Sequence, residues 1–390
     1  MLFTNANLFL DGCFQRGAFR VENGRFAEIL TDAAGDGIDL HGQYVIPGLV
    51  DIHNHGNSGA DFSDGDYDGL VKMAKYLAAN GVTSFAPASM TLPYDVLEAA
   101  YKTAAALKKA APEGCARLMG INMEGPFFSE KKKGAQNGAY LRDPDFAAFR
   151  KLYEGCGGLV RIIDVAPELP GACEFVRQAK ELCTVSIAHT DADYEDVLKA
   201  REFGYDFVTH LYSGMSSLRR LRARRHLGLV ETAFLMDDLT VEIIADGKHL
   251  PPELLRLIVK NKAWDRICLI TDSMRGAGMP EGSRPRLGSL SDGQETVIAD
   301  GVAYLPDRSA YAGSVCTADR CIQTMINQAG VPLLDAVRMM TVNPARALGI
   351  DGRKGILRPG MDADVCVFDQ AIHIQHVFVH GELRYSAEEC

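Results

Sequence analysis

The sequence predicts an α/β protein: a (β/α)8 TIM-like barrel with a small β-sandwich subdomain built from both chain ends. Three observations predict it. Between Val45 and Asp272, eight short apolar runs of strand character mostly alternate with amphipathic helical patterns, as parallel strands joined by helical crossovers do. The first 44 residues and the tail beyond 349 hold only short alternating runs and turn dipeptides, too little for either end to close a core alone. A chain of 390 residues, 47% hydrophobic and 24% charged, suits either one large barrel with an appendage or two to three compact domains, and the strand–helix alternation favours the first. The expected division is 1–44 and 349–390 for the two parts of the β-subdomain, and 45–348 for the barrel.

In chain order, Asp11-Gly12 and Asn23-Gly24 punctuate apolar runs as hairpin turns do. The run 45–52 is the first barrel strand. The helix predicted over 66–80 places Leu70, Met73, Ala74 and Leu77 on one face and stops at Asn80-Gly81. Further strands are expected at 82–86, 118–123, 161–166, 184–188, 207–209, 239–245 and 266–271. Helices are expected near 93–110, 172–182 and 194–203, and at 252–261 after Pro251. Beyond the barrel come a hairpin-like excursion at 290–312 and helices at 317–329 and 332–347. Strands at 364–368 and 374–379 then return to pair with the first 44 residues.

Barrel active sites lie at the C-terminal ends of the strands. Those ends carry His53 and His55, Glu124, His189, His210 and Asp272. On an extended chain residues i and i+2 share a face, so His53 and His55 project together. A lone strand-end histidine is as readily a polar cap as a ligand, but four of the ten histidines fall on one rim. Imidazoles with a carboxylate suit zinc, or iron, manganese, cobalt or nickel, and a single oxygen of Glu124 can bridge two ions, so one ion or two are allowed. Asp272 has the chemistry of a general acid–base; its alternative is an N-cap beside Ser273. His41, His373, His376 and His380 fall in the β-subdomain and read as structural.

Composition narrows the partners. A net charge of −10 argues against nucleic acid, which demands a basic surface. No signal-peptide pattern and no apolar run of membrane-spanning length is present in the sequence, so a cytoplasmic protein is expected. Ten cysteines without close pairing read as reduced thiols. The basic run 219–225 is either a solvated face or an anion clamp, and Lys131-Lys132-Lys133 reads as a solvated loop.

The segments PGLVDIHNHG, MEGPFF, KKGAQN, AHTDA, THLYSGM, IIADGKHL, LITDSMRGAGMPEG, AGS, TVNPARALGI and LRPGMDADVCVFD span nearly the whole chain. In that order they resemble the amidohydrolase superfamily and, within it, the N-acetylglucosamine-6-phosphate deacetylase family. The resemblance implies metal-dependent removal of acetate from an N-acetyl amino sugar, one ion on Glu124, His189 and His210, and room for a second at His53 and His55. It implies catalytic roles for Asp272 and Gln136. Substrate contacts are implied from Ala135, Ser213, Gly214, His249, Ala312 and Gly313, and from Arg222 or Arg225, with that arginine and His249 reaching across a homodimer. Three departures stand out. Ser213-Gly214 replaces the family's Asn-Ala, and its REPG is displaced to Arg225-His226-Leu227-Gly228. Gln136 stands where the family has a histidine, and its amide donates a hydrogen bond but carries no charge. N-acetylgalactosamine 6-phosphate, a non-phosphorylated N-acetylhexosamine and another N-acyl amine are therefore alternative substrates. A catalytically silent barrel acting as a scaffold is the alternative of another class.

Overall fold

The computed structural model of the chain describes residues 1–31, 36–291 and 293–389. Six strands form one parallel sheet in the order Ile121–Met123, Val160–Asp164, Thr184–Ile187, Phe207–Val208, Thr240–Ile244 and Ile267–Ile270. A second parallel sheet joins Arg117–Leu118, Val82–Pro87 and Leu49–Asn54. Backbone bonds link the two sheets at both edges. Asp272 donates its N–H to the His53 oxygen at 2.9 Å, and Ser89 donates to the Asn122 oxygen at 2.9 Å. The eight expected barrel strands thus meet in one ring whose strand ends face the same way.

Local chemistry explains the helices around it. The Tyr67–Ala79 helix starts at Asp66, whose carboxylate accepts the Asp68 and Gly69 N–H groups, and buries Leu70, Met73, Ala74 and Leu77. The Pro252–Asn261 helix starts on Pro252, where a missing N–H costs nothing.

Several elements depart from the sequence reading. The run 45–52 is two strands, Tyr44–Pro47 and Leu49–Asn54. Gly48 separates them, at a point where a Cβ would fall 2.1 Å from the Thr83 side chain. Tyr44–Pro47 leaves the barrel to pair with Val365–Phe368. The third barrel strand is similarly broken between Leu118 and Ile121; a Cβ on Gly120 would meet the Arg161 side chain at 2.4 Å. The helix expected at 332–347 is two, Leu333–Met339 and Val342–Ala347. The helices Phe146–Gly155 and Leu229–Leu235, and the hairpin Arg219–Leu221 with Arg224–His226, were not anticipated.

Both chain ends build a single eight-stranded sheet, in which Tyr44–Pro47 and Leu2–Leu10 sit beside the returning strands Val365–Phe368, Ile374–Val379 and Glu382–Ser386. This sheet curls. Phe3 and Phe378 lie three strands apart in its order, about 14 Å in a flat sheet, yet their ring centroids are 4.9 Å apart. Phe3, Leu8, Phe19, Phe26, Val365 and Phe378 fill the enclosed core.

A buried ion cluster ties this subdomain together. Asp362 accepts Arg353 at 3.0 Å and lies 3.2 Å from the Lys354 ammonium and 3.4 Å from His380. Burial alone would raise the Asp362 carboxyl, but His380 and Lys354 hold it well below the usual range. A carboxyl depressed in the folded state stabilises above its unfolded pKa of about 4, and that stability is lost as pH falls toward the folded value. Asp362→Asn is expected to cost about 3 kcal/mol at pH 7. Urea unfolding of both proteins should show that difference shrinking below about pH 4.

Candidate active site

Each of the six expected side chains sits at a strand end, and the barrel brings all six together. His53 and His55 rings lie 5.4 Å apart, as i, i+2 positions at a strand end should. Glu124 stands between them and the other pair. Its Oε1 is 2.9 Å from His189 Nε2 and 3.1 Å from His210 Nε2. Its Oε2 is 3.2 Å from His55 Nε2 and 3.7 Å from His53 Nε2. Asp272 closes the ring, with Oδ1 3.3 Å from His55 Nε2 and 3.7 Å from His53 Nε2. All six side chains are buried.

The backbone is strained where the chain turns into the site. His189, His210 and Asp272 adopt left-handed φ values of 44°, 29° and 46°, a conformation costing non-glycine residues roughly 1–3 kcal/mol each and concentrated at functional sites.

The arrangement fits divalent ions. His53, His55 and Glu124, and separately Glu124, His189 and His210, each offer ligand atoms within 4.8 Å of one another. His53 Nε2 and Glu124 Oε2 are buried and without a hydrogen-bond partner, a costly state that a cation relieves. Acceptors on the far side orient the rings. The Nδ1 of His55 faces the Ala88 oxygen at 3.2 Å, and that of His189 faces the Lys132 oxygen at 2.8 Å. Each contact leaves Nε2 free as the ligand atom. Burial opposes charge on His53, but Glu242 and Glu124 raise its pKa well above the usual imidazole range. Burial likewise opposes charge on Glu124, yet the surrounding imidazoles hold it well below the carboxylate range. The same negative potential that retains a proton there attracts a metal cation.

The centre opens into a cavity of about 260 Å³. Ala135, Gln136, Ser213, Gly214, His249 and Gly313 line it, together with His55, Glu124, His189, His210 and Asp272. Gln136 Oε1 accepts the Thr91 N–H at 2.7 Å, which leaves its amide N–H end as donor. His249 Nδ1 is held by Asp246 at 2.7 Å. The Ser213 N–H is already engaged with the His210 oxygen at 2.9 Å. Ala312 is fully buried beside Gly313 and is not among the lining residues. Arg222 and Arg225 lie on the exposed 219–226 hairpin, outside this cavity.

Sequence reasoning missed Glu242, Asn122, Met90, Leu287 and Tyr311. The last three line the cavity, and Tyr311 packs on His249 at 4.8 Å between ring centroids. Glu242 contacts His53 from below. The available signal for Glu242 was a charge inside the apolar run Val241-Glu242-Ile243-Ile244. A loop tyrosine such as Tyr311 carries no comparable signal.

Comparison with known proteins agrees with this geometry. The amidohydrolase family profile matches residues 44–384. The N-acetylgalactosamine-6-phosphate deacetylase of Escherichia coli O157:H7 is 32% identical over 342 residues, 87% of this chain and 88% of that protein. The N-acetylglucosamine-6-phosphate deacetylase of Bos taurus is 31% identical, covering 99% of this chain and 96% of that one. The structure of an N-acetyl-D-glucosamine-6-phosphate deacetylase mutant from Mycobacterium smegmatis, in complex with N-acetyl-D-glucosamine-6-phosphate, superimposes with a TM-score of 0.90 at 29% identity and covers 99% of both chains. Among the described residues no helix is long and apolar enough to cross a membrane. With a family profile spanning most of its length and the ligand groups assembled on the barrel rim, this chain belongs to the amidohydrolase family and is a hydrolytic enzyme.

Proposed function

We propose that the chain deacetylates an N-acetylhexosamine 6-phosphate, N-acetylglucosamine 6-phosphate first, giving the free amino sugar phosphate and acetate. The observation carrying this reading is the convergence of Glu124 with four imidazoles and Asp272 at the floor of a sugar-sized cavity. Glu124, His189 and His210 would hold one divalent ion, zinc by ligand chemistry, with His53 and His55 available for a second. Bound there, such an ion acidifies water and polarises an acyl oxygen. The protein's own groups do the rest. Asp272 takes the proton of the attacking water and returns it to the departing nitrogen. Gln136, fixed through Thr91, donates its amide N–H toward the acyl oxygen. His249, oriented by Asp246, binds a sugar substituent from the opposite wall.

The finer points of the reading follow. The curled sheet from both chain ends acts as the sandwich subdomain, and the barrel lies between its two parts over about 49–348. The enzyme works in the cytoplasm as a homodimer, in which the 219–226 hairpin presents Arg222 or Arg225 to the partner's substrate phosphate. Support for that role comes from the exposed Arg222 and Arg225 of the hairpin and from Leu218 and Leu221, which stand 52% and 48% exposed. The galactosamine epimer is the second reading, since a relative of that name is as similar as those named for the glucosamine compound.

A substrate panel tests this. Metal-replete protein should release acetate from the 6-phosphates of N-acetylglucosamine or N-acetylgalactosamine roughly 10- to 100-fold faster than from the plain sugars, the value of a charged hydrogen bond to phosphate. Chelation should stop the reaction and added divalent metal restore it. Absence of acetate from every sugar would overturn the reading.

A further inference from the structure

Glu242 is a buried carboxylate to which the chemistry above gives no task. It lies in the middle of the Thr240–Ile244 strand with no exposed surface, beneath the ligand groups. Its Oε2 accepts from His53 Nδ1 at 3.1 Å and from the His210 backbone N–H at 3.3 Å, while Oε1 has no partner. One side chain therefore touches both ligand groups, the His53 ring of one and the His210 main chain of the other. Asn122 Nδ2 also lies 3.3 Å from His53 Nδ1, but it donates to the Ile52 oxygen at 3.2 Å. An amide NH2 accepts no proton, so the acceptor for an N–H on His53 is Glu242. With the hydrogen on Nδ1, the bare Nε2 is left 3.7 Å from both Glu124 Oε2 and Asp272 Oδ1.

We propose that Glu242 is a positioning residue for an ion on the His53–His55–Glu124 group: it fixes the ligand tautomer of His53 and so sets how tightly that group holds its ion. The inference rests on the metal-dependent reading above. Glu124, Asp272 and Glu242 place three carboxylates around the centre, and buried carboxylates are tolerated only when cations compensate them.

Glu242→Gln separates this role from simple packing. A glutamine oxygen in the Oε2 position still accepts from the His210 N–H and from His53 Nδ1, but it carries no charge to hold the ring hydrogen on Nδ1 or to raise the basicity of Nε2. Metal-free full-length protein titrated with zinc against a competing chromophoric chelator, with ions counted by plasma mass spectrometry, gives the readout. The wild type should hold two ions per chain. Glu242→Gln should hold one tightly and bind the other about 10- to 100-fold more weakly, with the metal-free unfolding midpoint unchanged. Glu242→Asp keeps the negative charge and should recover part of the lost affinity; it also serves if the glutamine variant does not fold. A wild type that binds a single ion, or a glutamine variant with two wild-type affinities, overturns the proposal. So does a uniform loss at both sites together with a lowered metal-free midpoint. Because ions are counted rather than acetate, a chain that holds two ions and cleaves none of the sugars would refute the deacetylase reading and leave Glu242 in its role.

Discussion

Glu124→Ala is expected to empty the site of metal and reduce acetate release to background. Among the described residues no other side chain presents an oxygen to both histidine pairs: its Oε1 serves His189 and His210, and its Oε2 faces His55 and His53. Removing it leaves four buried imidazoles with no shared anion to offset the charge of bound cations. Loss of an outer contact to a ligand typically costs 10- to 100-fold in metal affinity, so loss of this ligand should cost more than about 100-fold. Turnover should fall at least about 10⁴-fold, because the activation of water and acyl group goes with the metal. Metal content after dialysis, measured beside acetate release, checks both halves. A variant retaining stoichiometric metal would contradict the role of Glu124.

Asp272→Asn is expected to separate chemistry from metal binding. The asparagine preserves the shape of a buried side chain that sits 3.3 Å from His55 Nε2. It cannot take a proton from water at neutral pH. Positioned acid–base catalysis contributes roughly 10²–10⁴-fold, so kcat should fall by that factor with KM little changed. Metal content should remain near wild type, since neither ligand group requires Asp272. Near-normal turnover would show that another group carries the proton.

The ligand set was legible in the sequence because barrel geometry imposes it. A strand end is identifiable from an apolar run and its stop, and all strand ends of a parallel barrel share a rim. His53, His55, Glu124, His189, His210 and Asp272 could be placed without knowing any loop. Breaks inside runs were not legible. Gly48 and Gly120 are demanded by close approach of Thr83 and Arg161, which belong to neighbouring strands and become visible only once the barrel closes. Glu242 was hidden for a similar reason: a single charge in an apolar strand does not disclose which histidine it will meet. The substrate side was least legible. Ala135, Ser213, Gly214, His249 and Gly313 line the cavity, but that grouping came from family resemblance, and the arginines of the hairpin lie beyond the single chain's own cavity. Loop side chains such as Tyr311 follow no periodicity, so their arrival at the site depends on tertiary packing.

The most direct test of a Glu124-centred metal site is anomalous scattering from crystals of zinc-loaded protein, collected on both sides of the metal edge. A strong peak within about 2.0–2.2 Å of Glu124, His189 and His210 is the predicted result. A map with no peak between these three side chains, in protein that releases acetate, would contradict it.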